Sequence, residues 1–340
     1  MRDAKAGLIE RPITFGYDFR MRCDDCGQTS PLSGADYLRL DNEASARMEC
    51  DLCKASIHFG PLAVGLRDQD DPALDDRMLN KLIWYLTSTY ENWPSPDYER
   101  NVRDGFSTSP ARSLMDDPER FLRVHLDKAL HLGTFEAAIE NMYRRMRDQG
   151  DEHSAFYLHR VRINIAPDRV NSGFHDENDE RAADISITEL TDLGLDAVRY
   201  LNVWEAAGCI SLAVCPHVIT AIQTIPVPGA LSPDDDLPSE VLALIENLER
   251  KDKEPAAPEE RQDLAYNLTQ ELEATLVAYF LPEVNPKVAD DFTRAIGSAH
   301  AGGDSGHLAH ACLFATHAGL LHAPERVLDL LDAAPSRRRD

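Results

Sequence analysis

Two cysteine pairs of identical spacing, Cys23-Asp-Asp-Cys26 and Cys50-Asp-Leu-Cys53, constrain this chain more than any other feature in it. Each lies beside a short β-like run, Phe19 to Arg22 and Ser56 to Phe59, and Gly27 follows the first pair. Four thiolates at that spacing satisfy the tetrahedral preference of zinc, and a glycine after the second cysteine permits the tight knuckle that aims backbone amides at the sulfurs. A duplicated spacing in a reducing compartment favours metal over redox or disulfide hooks. A closed four-cysteine site has no open position for substrate, so a zinc ribbon expected over 15–66 speaks to architecture or recognition rather than catalysis. Cys209, Cys215 and Cys312 read as buried small apolar residues.

At 340 residues the chain is too long for one ordinary core and suggests two or three domains; 43% hydrophobic residues can fill them. With 35 Lys and Arg against 59 Asp and Glu, the net charge of −24 argues against broad attraction to nucleic acid or anionic lipid. A local basic face would have to come from Arg144, Arg145 and Arg147, or from Arg160, Arg162 and Arg169. The first residues lack the apolar core and small-residue cleavage site of a secretory signal. No stretch has the uninterrupted apolar length of a membrane helix, so the expectation is a cytoplasmic protein without membrane contact.

The middle of the chain alternates helical and strand-like patterns, the reading of an α+β fold. Thr134 is placed to cap a helix over Phe135–Met146, in which Ala138, Met142 and Met146 recur at helical spacing. Phe156 to Ile165 and Ala197 to Val203 read as strands; the second ends at Glu205, turns at Gly208 and continues as a strand from Cys209 to Cys215. Met78, Leu79, Leu82, Ile83 and Leu86 mark one face of a helix expected between Asp75 and Pro94, with Tyr85, Thr87, Ser88 and Tyr90 as candidate walls of a pocket. Ser95 to Pro118 reads as a loop-rich connection into a helix over Glu119–Leu130. After a linker at Ser232–Pro238, helices are expected from Ser239 to about Arg250, Pro258 to Phe280, Pro286 to His300, Gly306 to His322 and Pro324 to Ala333, separated by proline breaks. His307 and His310 lie one turn apart without an acid or cysteine on their face. Arg337 to Arg339 reads as a solvated tail.

Three segments in order, His131-Leu132-Gly133-Thr134 opening an alanine-containing helix, FYLHRVRINI, and LGLDAVRYLNVWEAAGCISLAV, resemble the ADP-ribosyltransferase superfamily, in its His-to-Glu branch of bacterial and phage toxins. The resemblance implies a split-sheet domain over 67–228 with its core in 120–228, flanked by the zinc ribbon and by an α-helical accessory or dimerisation domain over 236–334. It implies NAD as substrate, with His131, Gly133 and Thr134 in the NAD-binding element, an aromatic residue stacked on the nicotinamide, and Glu205 as the catalytic carboxylate. Tyr143, Tyr157 and Tyr200 compete for the stacking position, and Tyr157 is taken for it. The first motif departs from its best-known form by Leu132, and Val203 stands where toxins that modify arginine carry a second acid.

The function implied is transfer of ADP-ribose from NAD to an acceptor, with protein or small molecule favoured over bulk nucleic acid by the acidic balance. A non-catalytic zinc-ribbon adaptor and an NAD glycohydrolase are the alternatives. If His131 and Glu205 share a site, they should come from neighbouring strands and open onto one cleft beside Gly133.

Overall fold

The computed structural model describes residues 7–95, 97–108, 115, 117–177, 182, 184–227, 237–252, 258–301 and 306–338. The cysteine hooks sit on two short antiparallel hairpins, β1 (Phe19–Arg22) with β2 (Thr29–Leu32) and β3 (Arg47–Glu49) with β4 (Ser56–His58). Helix α1 (Gly34–Asp41) lies between them and is capped by Ser33, whose side chain accepts from the Asp36 amide.

Two four-stranded sheets follow. One runs β12 (Ser336–Arg338), β11 (Ile219–Val227), β7 (Phe156–Ile163), β5 (Trp84–Ser88), all antiparallel. The other runs β6 (Leu130–Leu132), β10 (Ile210–Val214), β9 (Ala197–Leu201), β8 (His175–Asp176), with β8 parallel to β9. They meet where Tyr85 and Gly133 exchange two backbone hydrogen bonds of 3.0 and 2.9 Å. Every residue of β9 and β10 is buried, including Arg199 and Ser211, which is why neither segment shows an apolar–polar alternation between faces.

Helices α2 (Tyr98–Thr108), α3 (Pro118–Leu126) and α5 (Ile187–Asp192) flank the sheets. The 14-residue helix α4 (Phe135–Asp148) starts at Thr134, whose hydroxyl accepts from the Ala137 amide at 3.1 Å. It packs against β5 and against α8 (Pro286–Ala301), burying Ala138, Ile139, Met142, Tyr143 and Met146. The remaining helices are α6 (Ser239–Asp252), α7 (Pro258–Phe280), α9 (His307–His322) and α10 (Pro324–Ala333). Most buried apolar residues from Phe15 to Leu331 form one large cluster shared by the cysteine hairpins, both sheets, α1, α4 and the helices after β11, while Leu190 of α5 packs with Val198, Tyr200 and Ala213 in a smaller one.

Four sequence expectations change. Asp75–Pro94 is not a helix: a 3₁₀ turn at Pro72–Leu74 leads through turns to strand β5, whose Trp84, Tyr85, Thr87 and Ser88 are buried. An apolar run buried on both faces fits a short strand as well as a helix, and here its aromatic and β-branched residues follow the strand. Tyr98–Thr108, expected as loop, is helical. Ser336–Arg338 is no free tail; it pairs with Ala221–Gln223, and Arg337 donates to the carbonyls of Asn92 and Trp93. Cys312 is exposed, whereas Cys209 and Cys215 are buried. The expected linker lies outside the described residues except for Leu237 and Pro238.

Candidate functional site

The four hook cysteines converge. Their sulfurs all lie within 4.8 Å of one another, with Cys23 to Cys53 at 3.6 Å and Cys26 to Cys50 at 3.7 Å. A tetrahedron with metal–sulfur bonds of about 2.3 Å has edges of about 3.8 Å, whereas a disulfide would bring two sulfurs to about 2.05 Å. The cluster is therefore close enough to bind a metal and fits one. Each second cysteine is followed by a residue at positive φ, Gly27 at 70° and Lys54 at 64°, so both hooks turn the same way. The Cys53 amide is foremost in drawing the Cys50 thiol down to about 6, whereas Cys53, despite the pull of the Ala55 amide, is pushed up to about 12 by the neighbouring sulfurs and burial, so Cys50 is the thiol that ionises most readily. Ser30 ties the hooks together, its hydroxyl reaching the Cys50 sulfur at 3.9 Å and accepting from the Asp51 amide at 3.0 Å.

A second site lies where the two large sheets meet. Tyr85, Thr87, Trp93, His131, Gly133 and Tyr200, with Asn141, Asn202 and Ser211, line a cavity of about 220 Å³. Gly133 fits only as glycine, because a Cβ there would come within 2.9 Å of the Ala137 Cβ and 3.2 Å of the Ser211 hydroxyl. His131 Nδ1 is 2.9 Å from the Tyr200 hydroxyl, a contact that fixes the ring. Burial lowers the His131 pKa against the opposing pull of Glu205, and burial raises that of Tyr200 well above its ordinary value. Both are therefore neutral near pH 7, and the cavity presents hydrogen-bonding groups rather than charge.

Glu205 stands beside this cavity in the turn between β9 and β10. Its Oε1 accepts from Asn141 Nδ2 at 3.0 Å and from Arg144 Nε at 2.6 Å, both on α4, and Asn141 itself lines the cavity. The turn is heavily constrained. The Asn202 side chain accepts from the amides of Trp204 and Glu205, Ala206 has φ 48° and Gly208 has φ 89°.

Two further acids brace it from opposite sides. Glu177, just after β8, accepts from the Val203 amide at 2.7 Å; Glu140, on α4, accepts from the Ala206 amide at 2.7 Å and from the Tyr17 hydroxyl. Burial, then the Glu205 charge, pushes Glu177 up to about 7, and burial pushes Glu140 up to about 8.

His131 lines this cavity, whereas Glu205 is buried, is not among the lining residues and reaches the cavity only through Asn141; nor do the two come from adjacent strands, since β10 lies between β6 and β9. Thr134 spends its hydroxyl on the α4 cap. Tyr157 lies on β7 opposite Ser88 and Pro226 and is not among the cavity residues, whereas Tyr200 is. Of the six arginines from which a local basic face could come, Arg144, Arg145, Arg147, Arg160 and Arg169 each pair with an acid. Sequence reasoning missed Glu177 and Glu140. Glu140 had a signal in hindsight, an acid at i+4 from Glu136 on a helix whose neighbours at 138, 139, 142 and 143 are all apolar.

No family model, curated protein or solved structure matches the chain. Fold and site define a mixed α+β protein with a four-cysteine group able to hold a metal ion and a small polar cavity overlooked by a braced acidic turn. None of its described helices is long and apolar enough to cross a membrane.

Proposed function

We propose that this protein cleaves the nicotinamide–ribose bond of NAD and transfers ADP-ribose to an acceptor, with Glu205 as the catalytic carboxylate and a structural zinc held by Cys23, Cys26, Cys50 and Cys53. The observation that carries the reading is the fixed carboxylate beside the His131–Gly133 cavity. Breaking the bond develops positive charge on the ribose, and a preorganised carboxylate stabilises that charge more in the transition state than in the ground state. Asn141 and Arg144 both hold Oε1, and Asn141 links the carboxylate to the cavity it lines. His131, held by Tyr200, supplies a neutral ring nitrogen for a ribose hydroxyl, and Gly133, whose amide and carbonyl are both paired with Tyr85, forms part of the wall beside it. At about 220 Å³ the cavity takes one half of a dinucleotide, so the adenosine end would lie across the open surface.

One observation favours the rival reading of a non-catalytic adaptor: the Arg144 ion pair already satisfies Glu205, as it would in a purely structural turn. Incubation with NAD separates the two. The transferase labels an acceptor, a glycohydrolase frees ADP-ribose, and an adaptor does neither. Glu205→Gln should lower NAD turnover by about 10²–10³-fold while NAD affinity stays near that of the wild type. His131→Ala should weaken NAD binding. Unchanged turnover in Glu205→Gln, or wild-type protein that neither binds nor cleaves NAD, ends the enzymatic reading.

A further inference from the structure

The β9–β10 hairpin has a second end, opposite the Glu205 turn. There Asp196 precedes β9 and Cys215 follows β10, with the Cys215 amide donating to the Asp196 carbonyl at 2.8 Å. A 3₁₀ turn, Pro216–Val218, then folds His217 back over the pair, and the Val218 amide closes it onto the Cys215 carbonyl. A carboxylate oxygen, a thiol sulfur and an imidazole nitrogen are thereby brought within 4.8 Å of one another.

The burial of the three is graded. Cys215 is 1% exposed, Asp196 is half-buried and His217 is exposed, so the soft ligand lies innermost and the imidazole forms the outer wall. His217 Nε2 is 3.3 Å from Asp196 Oδ1, and Arg169 Nη2 donates to the same oxygen at 2.7 Å. Both contacts fall on Oδ1, and Arg169 orients the carboxylate as an outer partner of a ligand does. The backbone that carries the set is rigid: two buried strands and a proline-initiated turn hold it in place.

We propose that Asp196, Cys215 and His217 form a metal site separate from the four-cysteine cluster. One thiolate, one imidazole and one carboxylate suit Zn²⁺ or Co²⁺, and three protein ligands leave a fourth tetrahedral position open to water on the exposed His217 side. The two sites differ in kind: the four-cysteine cluster is closed, whereas this one has room for an exchangeable ligand.

The test titrates Co²⁺ into the purified full-length protein under reducing conditions and follows the visible spectrum and the bound stoichiometry. Wild-type protein should take up one equivalent that is lost in Cys215→Ala together with its thiolate-to-cobalt absorption. His217→Ala alters an exposed side chain and leaves the fold intact; it should weaken that equivalent by about 100-fold or more, since even outer partners of ligands are worth 10–100-fold. Cys23→Ser should leave it unchanged. If His217→Ala binds the same equivalent with wild-type affinity, or if Cys215→Ala keeps the same spectrum and stoichiometry, the three residues are an ion-paired hairpin end and no metal site.

Discussion

Glu140 offers the sharpest test of the braced turn. Its carboxyl is half-buried on the wall of a pocket, accepting from the Tyr17 hydroxyl at 2.8 and 3.0 Å and from the Ala206 amide at 2.7 Å. Burial raises its pKa from 4.5 to about 8, although the Ala206 amide, Tyr17 and the Arg67 guanidinium pull the other way. Between those values the folded protein holds a proton that the unfolded chain has released, so stability must fall as pH rises from about 4.5 to about 8. At about 1.4 kcal/mol per unit of separation, the ceiling is roughly 5 kcal/mol. Glu140→Gln reproduces the protonated acid, with an oxygen for the Ala206 amide and an NH₂ that donates to Tyr17, and it cannot ionise. Urea denaturation of both proteins at intervals from pH 5 to 9 isolates the group, since every other titration is common to the pair. The variant should match the wild type near pH 5 and exceed it by several kcal/mol near pH 9. A flat difference, or a wild type that gains on the variant as pH rises, refutes the assignment of Glu140 as a neutral, half-buried brace.

Three other outcomes follow from particular contacts. Cys50→Ser should remove the metal of the four-cysteine cluster and the hydrogen-exchange protection of residues 15–66 while β7 stays protected; equal metal content by elemental analysis would contradict it. Gly208→Ala should cost about 1–3 kcal/mol, because φ is 89° and a Cβ would stand 2.8 Å from the Gly65 carbonyl; an unchanged Tm would show that the turn yields. His317 is lowered to about 4 by burial, so the folded protein keeps it neutral while the unfolded chain protonates below about 6.5. Its contribution is intact above pH 6.5 and lost as pH falls towards 4; His317→Phe should flatten that loss, and parallel urea midpoints for the two proteins over pH 7 to 4 would rule it out.

What the sequence disclosed depended on how local the signal was. The cysteine hooks and the helices over 239–333 are written in short spacings and proline stops, and both are found where those signals put them. Strand β5 was hidden because a segment buried on both faces loses the alternation that marks a strand. Glu177 was invisible for another reason: it follows a two-residue strand, and only the parallel pairing of His175 with Tyr200 brings it under the Glu205 turn. Tyr200 was one of three rival tyrosines. The register that sets Ser211 opposite it on β10, with Ala213 opposite His131, is a tertiary fact that no local pattern carries. Glu273 is similar: it approaches His310 at 3.7 Å from a different helix, so inspection of one helical face could not reveal it.

Strand β12 has a consequence for how the protein is made. Its three residues cover Ala221–Gln223 of β11, yet they are synthesised roughly a hundred residues later, after the intervening helices. At about 5–20 residues per second, the ribosome leaves that side of β11 without its partner for roughly five to twenty seconds. During that window the nascent chain offers a bare row of backbone donors and acceptors to any neighbouring extended segment. Pro226 sits on β11 just beyond the part that β12 covers, and as a residue that cannot donate to a ladder it shortens the length of edge open to an intruder.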